Sequence, residues 1–129
     1  MLDSVSSVGP SWATRNVQLL SLFAPLLLLA GVLGFVVPAH LSLMSGAPAY
    51  NVFHLIAGVV GLLLLRGRAA APAIAFNLTF GLIDLYQALA GLTGLFPAQL
   101  FALRPADHVV HVLFGLLLFG VGLLGKRSA

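Results

Sequence analysis

Two histidines in apolar sequence are the residues of this chain best suited to chemistry. His54 and His111 are each followed four residues later by a glycine, Gly58 and Gly115, so each imidazole shares a helix face with a small residue. Two imidazoles that face each other across a helical bundle can bind a haem iron, or a metal ion where a third ligand joins them. His54 and His111 are therefore candidate cofactor-binding residues, with haem b as the group considered. A structural role, in which the imidazoles hydrogen-bond a loop carbonyl or cap a neighbouring segment, and a proton-linked or substrate cavity are the other two interpretations.

A polar stripe on the third apolar segment forms a second candidate site. Asn77, Asp84 and Gly91 are seven residues apart and lie on one helix face, with Gln87 beside them. A carboxylate that faces lipid costs about 2.5 to 3.5 kcal/mol, so we expect Asp84 to face the bundle interior or a wet cavity. It either locks the bundle through hydrogen bonds to Asn77, Gln87 or a backbone group, or it carries a proton. His108 completes this candidate intramembrane polar site.

Other polar residues are predicted to act locally. Asp107 is expected to cap the fourth helix, and Asn51 is a candidate cap for the second, because side-chain oxygens satisfy the free amides of a helix N-terminus. The chain has no cysteine, and it contains no glycine-rich phosphate loop, nucleophile elbow or zinc-protease motif. We therefore expect no enzyme activity, no catalytic residue and no metal site.

The composition predicts that lipid surrounds these residues. Of 129 residues, 60% are hydrophobic and 7% are charged, and the mean hydropathy is +1.12. Soluble domains contain roughly a quarter charged residues. Four apolar stretches, at about 17–37, 50–65, 71–96 and 108–125, each approach the length of about 20 residues that crosses a bilayer. The sequence therefore predicts an all-α membrane protein, with 1–16 as an N-terminal cytoplasmic segment and 17–129 as one four-helix transmembrane bundle.

The basic residues predict the orientation of that bundle. Five of them fall on one side of the predicted membrane and only Arg104 falls on the other. The five are Arg15, Arg66, Arg68, Lys126 and Arg127. The positive-inside rule then predicts a multi-pass membrane protein with both termini in the cytoplasm, and places Trp12 and Tyr50 as interface aromatics. Because the charges are dispersed, the basic pI of 10.2 does not indicate nucleic-acid binding.

Two sequence matches predict an internal repeat. Residues 30–34, Ala-Gly-Val-Leu-Gly, recur as Ala-Gly-Leu-Thr-Gly at 90–94, and the segment from Pro48 to His54 recurs from Pro105 to His111. We interpret the chain as two tandem helical hairpins, about 17–68 and 71–127, repeated in parallel. Such a duplication brings His54 and His111 toward a shared two-fold axis, close enough for cysteines at the two positions to form a disulfide.

Two of these segments also support a resemblance. Asn51-Val52-Phe53-His54 and Asp107-His108-Val109-Val110-His111 provide an Asn-x-x-His and an Asp-x-x-x-His motif at the starts of the second and fourth helices. The chain resembles an uncharacterised bacterial family of small four-helix integral membrane proteins, catalogued as a domain of unknown function. The resemblance implies the same architecture and recurring histidines at 54 and 111, without assigned roles. It implies an uncharged or aromatic residue where this chain has Asp84.

Three functions remain open from the sequence. The first is a non-enzymatic structural or accessory component, without a cofactor, that packs in the lipid bilayer with itself or with other membrane subunits. The second is a haem- or quinone-associated redox subunit that uses His54 and His111. The third is a proton-linked small-molecule carrier that uses Asp84.

Overall fold

The computed structural model describes residues 9–128 as an all-helical bundle, without a strand in that range. The helices are α1 (Trp12–Val36), α2 (Pro48–Leu64), α3 (Ala70–Thr93) and α4 (Pro105–Ser128), with a short 3₁₀ turn at Ala39–Leu41. Helices α1, α3 and α4 are long and apolar enough to cross a membrane, whereas α2 has 17 residues. The predicted all-α fold of four helices is confirmed.

Local capping signals set helix ends that the apolar stretches do not mark. Helix α1 begins at Trp12 because the Ser11 hydroxyl accepts a hydrogen bond from the Thr14 amide, at 3.1 Å. Residues 12–16 therefore belong to α1, which begins ahead of the apolar stretch predicted at about 17–37. Helix α3 ends at Thr93, not near 96, because Gly94 adopts a left-handed conformation with φ of 76°.

Glycines bring the helices together as two antiparallel pairs, α1 with α2 and α3 with α4. A Cβ atom added to Gly58 would lie 3.0 Å from the Ala24 carbonyl oxygen, and one added to Gly115 would lie 3.1 Å from the Gly81 carbonyl oxygen. Only a residue without a side chain allows such an approach. In the first pair, Gly34 near the end of α1 contacts Asn51 near the start of α2, and Ala24 in the middle of α1 contacts Gly58 further along α2. The two helices are therefore antiparallel, and the contacts of Gly81 and Gly91 with α4 show the same for the second pair.

Phenylalanines fill the space where the two pairs meet. The ring centroids of Phe23 and Phe80 lie 5.7 Å apart, and those of Phe23 and Phe114 lie 5.2 Å apart. Leu20 and Leu118 are fully buried in the same core. Large apolar side chains, by contrast, are exposed along the outside of all four helices. An apolar exterior around a packed core is typical of a bundle in lipid, so this is a small membrane protein.

Helices α2 and α4 lie on a diagonal of the bundle. No Cα atom of α2 lies within 8 Å of a Cα atom of α4. A disulfide requires a Cα separation of about 7 Å or less. The prediction that cysteines at His54 and His111 could cross-link is therefore wrong, because the diagonal keeps the two backbones apart.

The first of the two repeat matches also needs correction. Gly34 packs against the Asn51 side chain, whereas Gly94 ends α3 and a Cβ added there would meet nothing within 4 Å. The two glycines therefore do not hold corresponding positions. Gly91 corresponds to Gly34 instead, because it packs against the His108 imidazole as Gly34 packs against the Asn51 side chain. Repeated Ala, Gly and Leu residues match at several offsets, so the sequence pattern alone does not fix the register.

Candidate functional site

The candidate residues divide between the two ends of the bundle. We call one end the basic end, because it contains the termini of the helices that adjoin Arg15, Arg66, Arg68, Lys126 and Arg127. The other is the connector end, which contains the Ala39–Leu41 turn and Arg104. His54, His108 and His111 lie toward the connector end, and Asn77 lies toward the basic end. The predicted sites therefore form more than one group.

Tyr50 joins the two histidines that the sequence singled out. Its hydroxyl lies 2.7 Å from Nε2 of His111, and both side chains are almost fully buried. The Tyr50 ring also packs on His54, with centroids 4.1 Å apart, and its centroid lies 5.9 Å from that of His111. Which of the two atoms donates depends on the imidazole tautomer. Tyr50 is thus a core residue between α2 and α4, and the prediction of an interface aromatic is wrong.

This arrangement does not fit a haem held by His54 and His111. Axial ligation needs one nitrogen of each imidazole directed at an iron that lies between them. In the bundle, the Tyr50 ring packs against both imidazoles, and Nε2 of His111 is hydrogen-bonded to the tyrosine hydroxyl. The contact between Tyr50 and His54 could have been predicted from their spacing, because residues four apart lie on the same helix face.

Asp107 connects three segments at the connector end. Its Oδ2 atom accepts hydrogen bonds from the Arg104 amide at 2.8 Å and from the Ser45 amide at 2.9 Å. The first bond caps α4 as the sequence predicts. The second holds the connector between α1 and α2 against α4, and the Ser45 hydroxyl adds a bond to the Phe101 carbonyl. Asp107 is fully buried, so this carboxylate is part of the packed structure.

Asn51 does not cap α2. Its Nδ2 donates to the Gly46 carbonyl at 2.9 Å, and the N-cap residue Ala47 has no side-chain cap. Asn51 lies in the second turn of the helix, where its carboxamide reaches back to the connector and packs on Gly34. The predicted cap is therefore wrong, and the residue holds the α1–α2 connector in place.

Asp84 is buried on α3 without the hydrogen bonds that the sequence suggested. Its side chain is 4% exposed, and it makes no hydrogen bond with any residue between 9 and 128. The predicted bonds to Asn77 and Gln87 do not form. Asn77 is seven residues away, which is about 10 Å along a helix axis, so residues that share a face at this spacing do not touch. The prediction that Asp84 faces the interior agrees with its burial.

Asn77 instead binds Asn16, a residue that the sequence reasoning missed. Asn77 Nδ2 donates to Oδ1 of Asn16 at 2.9 Å, and Asn16 Nδ2 donates to the Trp12 and Val121 carbonyls at 2.8 and 2.9 Å. Both asparagines are fully buried. This cluster joins α1, α3 and α4 near the basic end. The signal was an amide residue at the edge of an apolar run, which commonly forms hydrogen bonds between membrane helices.

Several buried polar atoms toward the connector end have no hydrogen-bond partner within residues 9–128. They are Oδ1 of Asn51, Oε1 of Gln87, Oδ1 of Asp107, Nδ1 of His108 and Nδ1 of His111. Buried polar atoms usually have a partner, which can be an internal water molecule. Across the described residues, no three His, Cys, Asp or Glu side chains are arranged to hold a metal ion. Within residues 9–128, five of the six buried polar atoms without a partner thus lie toward the connector end, which we call the polar half of the bundle interior.

A cavity of about 480 Å³ opens beside this polar half. It lies between α1, the start of α2 and the connectors that follow α1 and α3, and it is lined by leucines of α1 together with Tyr50, His54 and Arg104. His54 lines the cavity, whereas His111 is buried in the core. The two histidines therefore occupy different environments, although one tyrosine contacts both.

Comparison with known proteins adds no relative. No family model, no curated protein and no solved structure matches this chain.

Proposed function

We propose that this chain is a non-enzymatic structural or accessory protein of a bacterial cytoplasmic membrane. The observation that supports this proposal is the use of its buried polar side chains. Tyr50 links α2 to α4, Asp107 links a connector to α4, and Asn16 links α1 to α3 and α4. Groups that hold helices together in this way stabilise a bundle without requiring a substrate.

The proposal includes an orientation and a duplication. The basic end faces the cytoplasm, so both termini and the α2–α3 link lie there. The two hairpins are tandem repeats, and corresponding contacts support this. Gly34 packs on Asn51 as Gly91 packs on His108, and each residue of the second contact lies 57 positions after its counterpart. The same interval separates the ends of α1 and α3 and the starts of α2 and α4.

Purified protein in a mild detergent, and the same protein in sealed vesicles, can test the structural role against the alternatives. We expect an absorption spectrum without a Soret band and a proton flux equal to that of protein-free vesicles. A Soret band that is lost in His54→Ala or His111→Ala would contradict the proposal and make this a haem protein. A proton flux above that of protein-free vesicles that is lost in a well-folded Asp84→Asn variant would also contradict it.

A proton-linked carrier is the second candidate, and one observation favours it. Asp84 lies more than halfway along α3, buried and without a hydrogen bond to the described residues. Ionisable groups inside a membrane bundle commonly mark a proton or substrate path. Under this alternative, wild-type vesicles would show a pH-dependent flux that Asp84→Asn abolishes. Addition of Asn77→Asp to the Asp84→Asn variant would not restore the flux, because Asn77 belongs to the other end of the bundle.

A further inference from the structure

The cavity beside His54 has an aliphatic wall that faces the lipid. Leu26, Leu29 and Leu33 line it from α1, and these side chains are 43%, 53% and 44% exposed. Residues spaced three and four apart form one helix face, so the wall is a continuous strip along the helix. Because the strip is both part of the cavity and part of the outer surface, an apolar chain can enter it sideways from the bilayer.

The polar end of the cavity contains the cation of Arg104. Nη1 of Arg104 donates to the Ala39 and Ser42 carbonyls at 3.2 and 2.7 Å, and both of these residues line the cavity. Nε and Nη2 make no hydrogen bond with residues 9–128. The carboxylates of that range are Asp84 and Asp107, and neither forms an ion pair with Arg104; Asp107 accepts from backbone amides. The guanidinium therefore retains free donors beside the cavity.

His54 provides a second polar group at the same end. Its half-buried imidazole lines the cavity and makes no hydrogen bond with residues 9–128, although Tyr50 packs on its ring. A neutral imidazole has one donor and one acceptor, so it can hydrogen-bond a head group next to Arg104. The cavity thus combines an apolar strip, one cation and one adaptable polar group.

We propose that this cavity binds an anionic amphiphile with a single acyl chain, whose head group meets Arg104 and His54 and whose chain lies along α1. The guanidinium fork suits a carboxylate or a phosphate equally, and a bond between charged partners is stronger than a neutral one. The volume of about 480 Å³ lies within the usual range of small-molecule sites. Carboxylate and phosphate head groups share this chemistry, and fatty acids and lysophospholipids are the two sources.

Binding to the intact protein in nanodiscs of phosphatidylcholine tests the proposal, with empty nanodiscs as background. The probes are palmitate, a lysophosphatidate with the same chain, and the neutral monoacylglycerol of that chain. We expect saturable binding of at least one anion, and binding of the neutral probe that is weaker by about tenfold or more, as expected when a charge-assisted bond is lost. The tighter of the two anions identifies the head group. Equal affinity for the neutral probe, or binding no greater than background, would overturn the proposal.

Two pairs of variants locate the site. Arg104→Gln should weaken anion binding by about tenfold or more without affecting the neutral probe, whereas Arg68→Gln at the basic end should bind as wild type. Ala30→Phe should block every probe by filling the cavity, and Ala75→Phe, on the exposed face of α3, should not. If Arg104→Gln fails to fold, the Ala30 and Ala75 pair decides. Equal affinities within the deciding pair would overturn the proposal.

Discussion

The Tyr50 hydroxyl reaches Nε2 of His111 at 2.7 Å, although the two helices that carry these residues have no Cα atoms within 8 Å of each other. One aromatic side chain therefore spans the diagonal of the bundle. The remaining nitrogen of His111 has no partner within the described residues, so Tyr50 is its only hydrogen-bond contact there. This contact determines how the histidine of α4 is held, and it leads to the first prediction.

Removal of the Tyr50 hydroxyl should destabilise the bundle. In Tyr50→Phe, both ring nitrogens of the buried His111 would lack a partner, and an unsatisfied buried group costs about 1 to 3 kcal/mol. Unfolding in a detergent titration, followed by circular dichroism, measures the loss. Tyr86→Phe is the control, because Tyr86 is exposed and its hydroxyl bonds only the Phe96 carbonyl. Equal losses in the two variants would show that the Tyr50–His111 contact does not stabilise the fold.

Asp107→Ala should lower the free energy of unfolding more than Asp107→Asn. The alanine variant leaves the Ser45 and Arg104 amides without acceptors, at about 1 to 3 kcal/mol for each buried group. The asparagine variant keeps one side-chain oxygen for the same amides. The same detergent titration compares the two variants with wild type. If the alanine variant were as stable as wild type, Asp107 would not hold the connector.

Asp84→Leu should leave the stability unchanged or raise it. No hydrogen bond to a described residue is lost, and an apolar side chain replaces a buried polar one. This expectation is the opposite of the one for Asp107, although both residues are buried carboxylic acids. A drop of more than about 1 kcal/mol would show that Asp84 has a partner that supports the fold.

Gly81→Ala should destabilise the contact between α3 and α4. The added Cβ atom would lie 2.6 Å from the Phe119 amide nitrogen and 3.0 Å from the Gly115 carbonyl oxygen, so the two backbones must move apart. Overpacking of this kind costs about 1 to 3 kcal/mol. Gly120→Ala on α4 is the matched control, since a Cβ atom there meets nothing within 4 Å. Alanine is the better helix former, so the control should be neutral or slightly stabilising.

The proposed orientation predicts where an introduced thiol can be labelled. The natural chain has no cysteine, so Gln99→Cys and Ser128→Cys each provide one site, and both residues are exposed. In intact cells, an impermeant thiol reagent should label position 99 and should label position 128 only after permeabilisation. Ser45 is unsuitable because it is buried. Labelling of position 128 but not of position 99 in intact cells would invert the topology.

The sequence predicts the helices well because apolar length is a direct consequence of the lipid environment. It predicts the Asp107 cap because capping depends on residues that are close in the chain. The start of α1 and the end of α3 could also have been predicted, since Ser11 and Gly94 are ordinary capping residues. Both ends were missed because hydropathy marks the membrane-embedded part of a helix and not its caps.

Contacts between helices were much harder to predict. Asn16 and Asn77 are 61 residues apart, as are Tyr50 and His111, and no local pattern joins the members of either pair. Their contact depends on which helices are neighbours and which lie on a diagonal. A shared helix face, which was the basis for grouping Asp84 with Asn77, says only that two side chains point the same way. Partners across the bundle follow from packing, and packing follows from the glycines that let particular backbones approach.

The shortness of α2 has a consequence for the surrounding bilayer. At 1.5 Å per residue its 17 residues extend about 26 Å, which is less than the roughly 30 Å of a typical hydrocarbon layer. The preceding connector exposes Leu41 and Leu43, which are 70% and 82% accessible. These leucines can cover the part of the hydrocarbon layer that α2 is too short to span. Lipid tails on this side of the bundle would then contact both the helix and the connector. Hydrophobic mismatch would then be relieved by the protein's own connector, and the membrane would need to thin less beside α2.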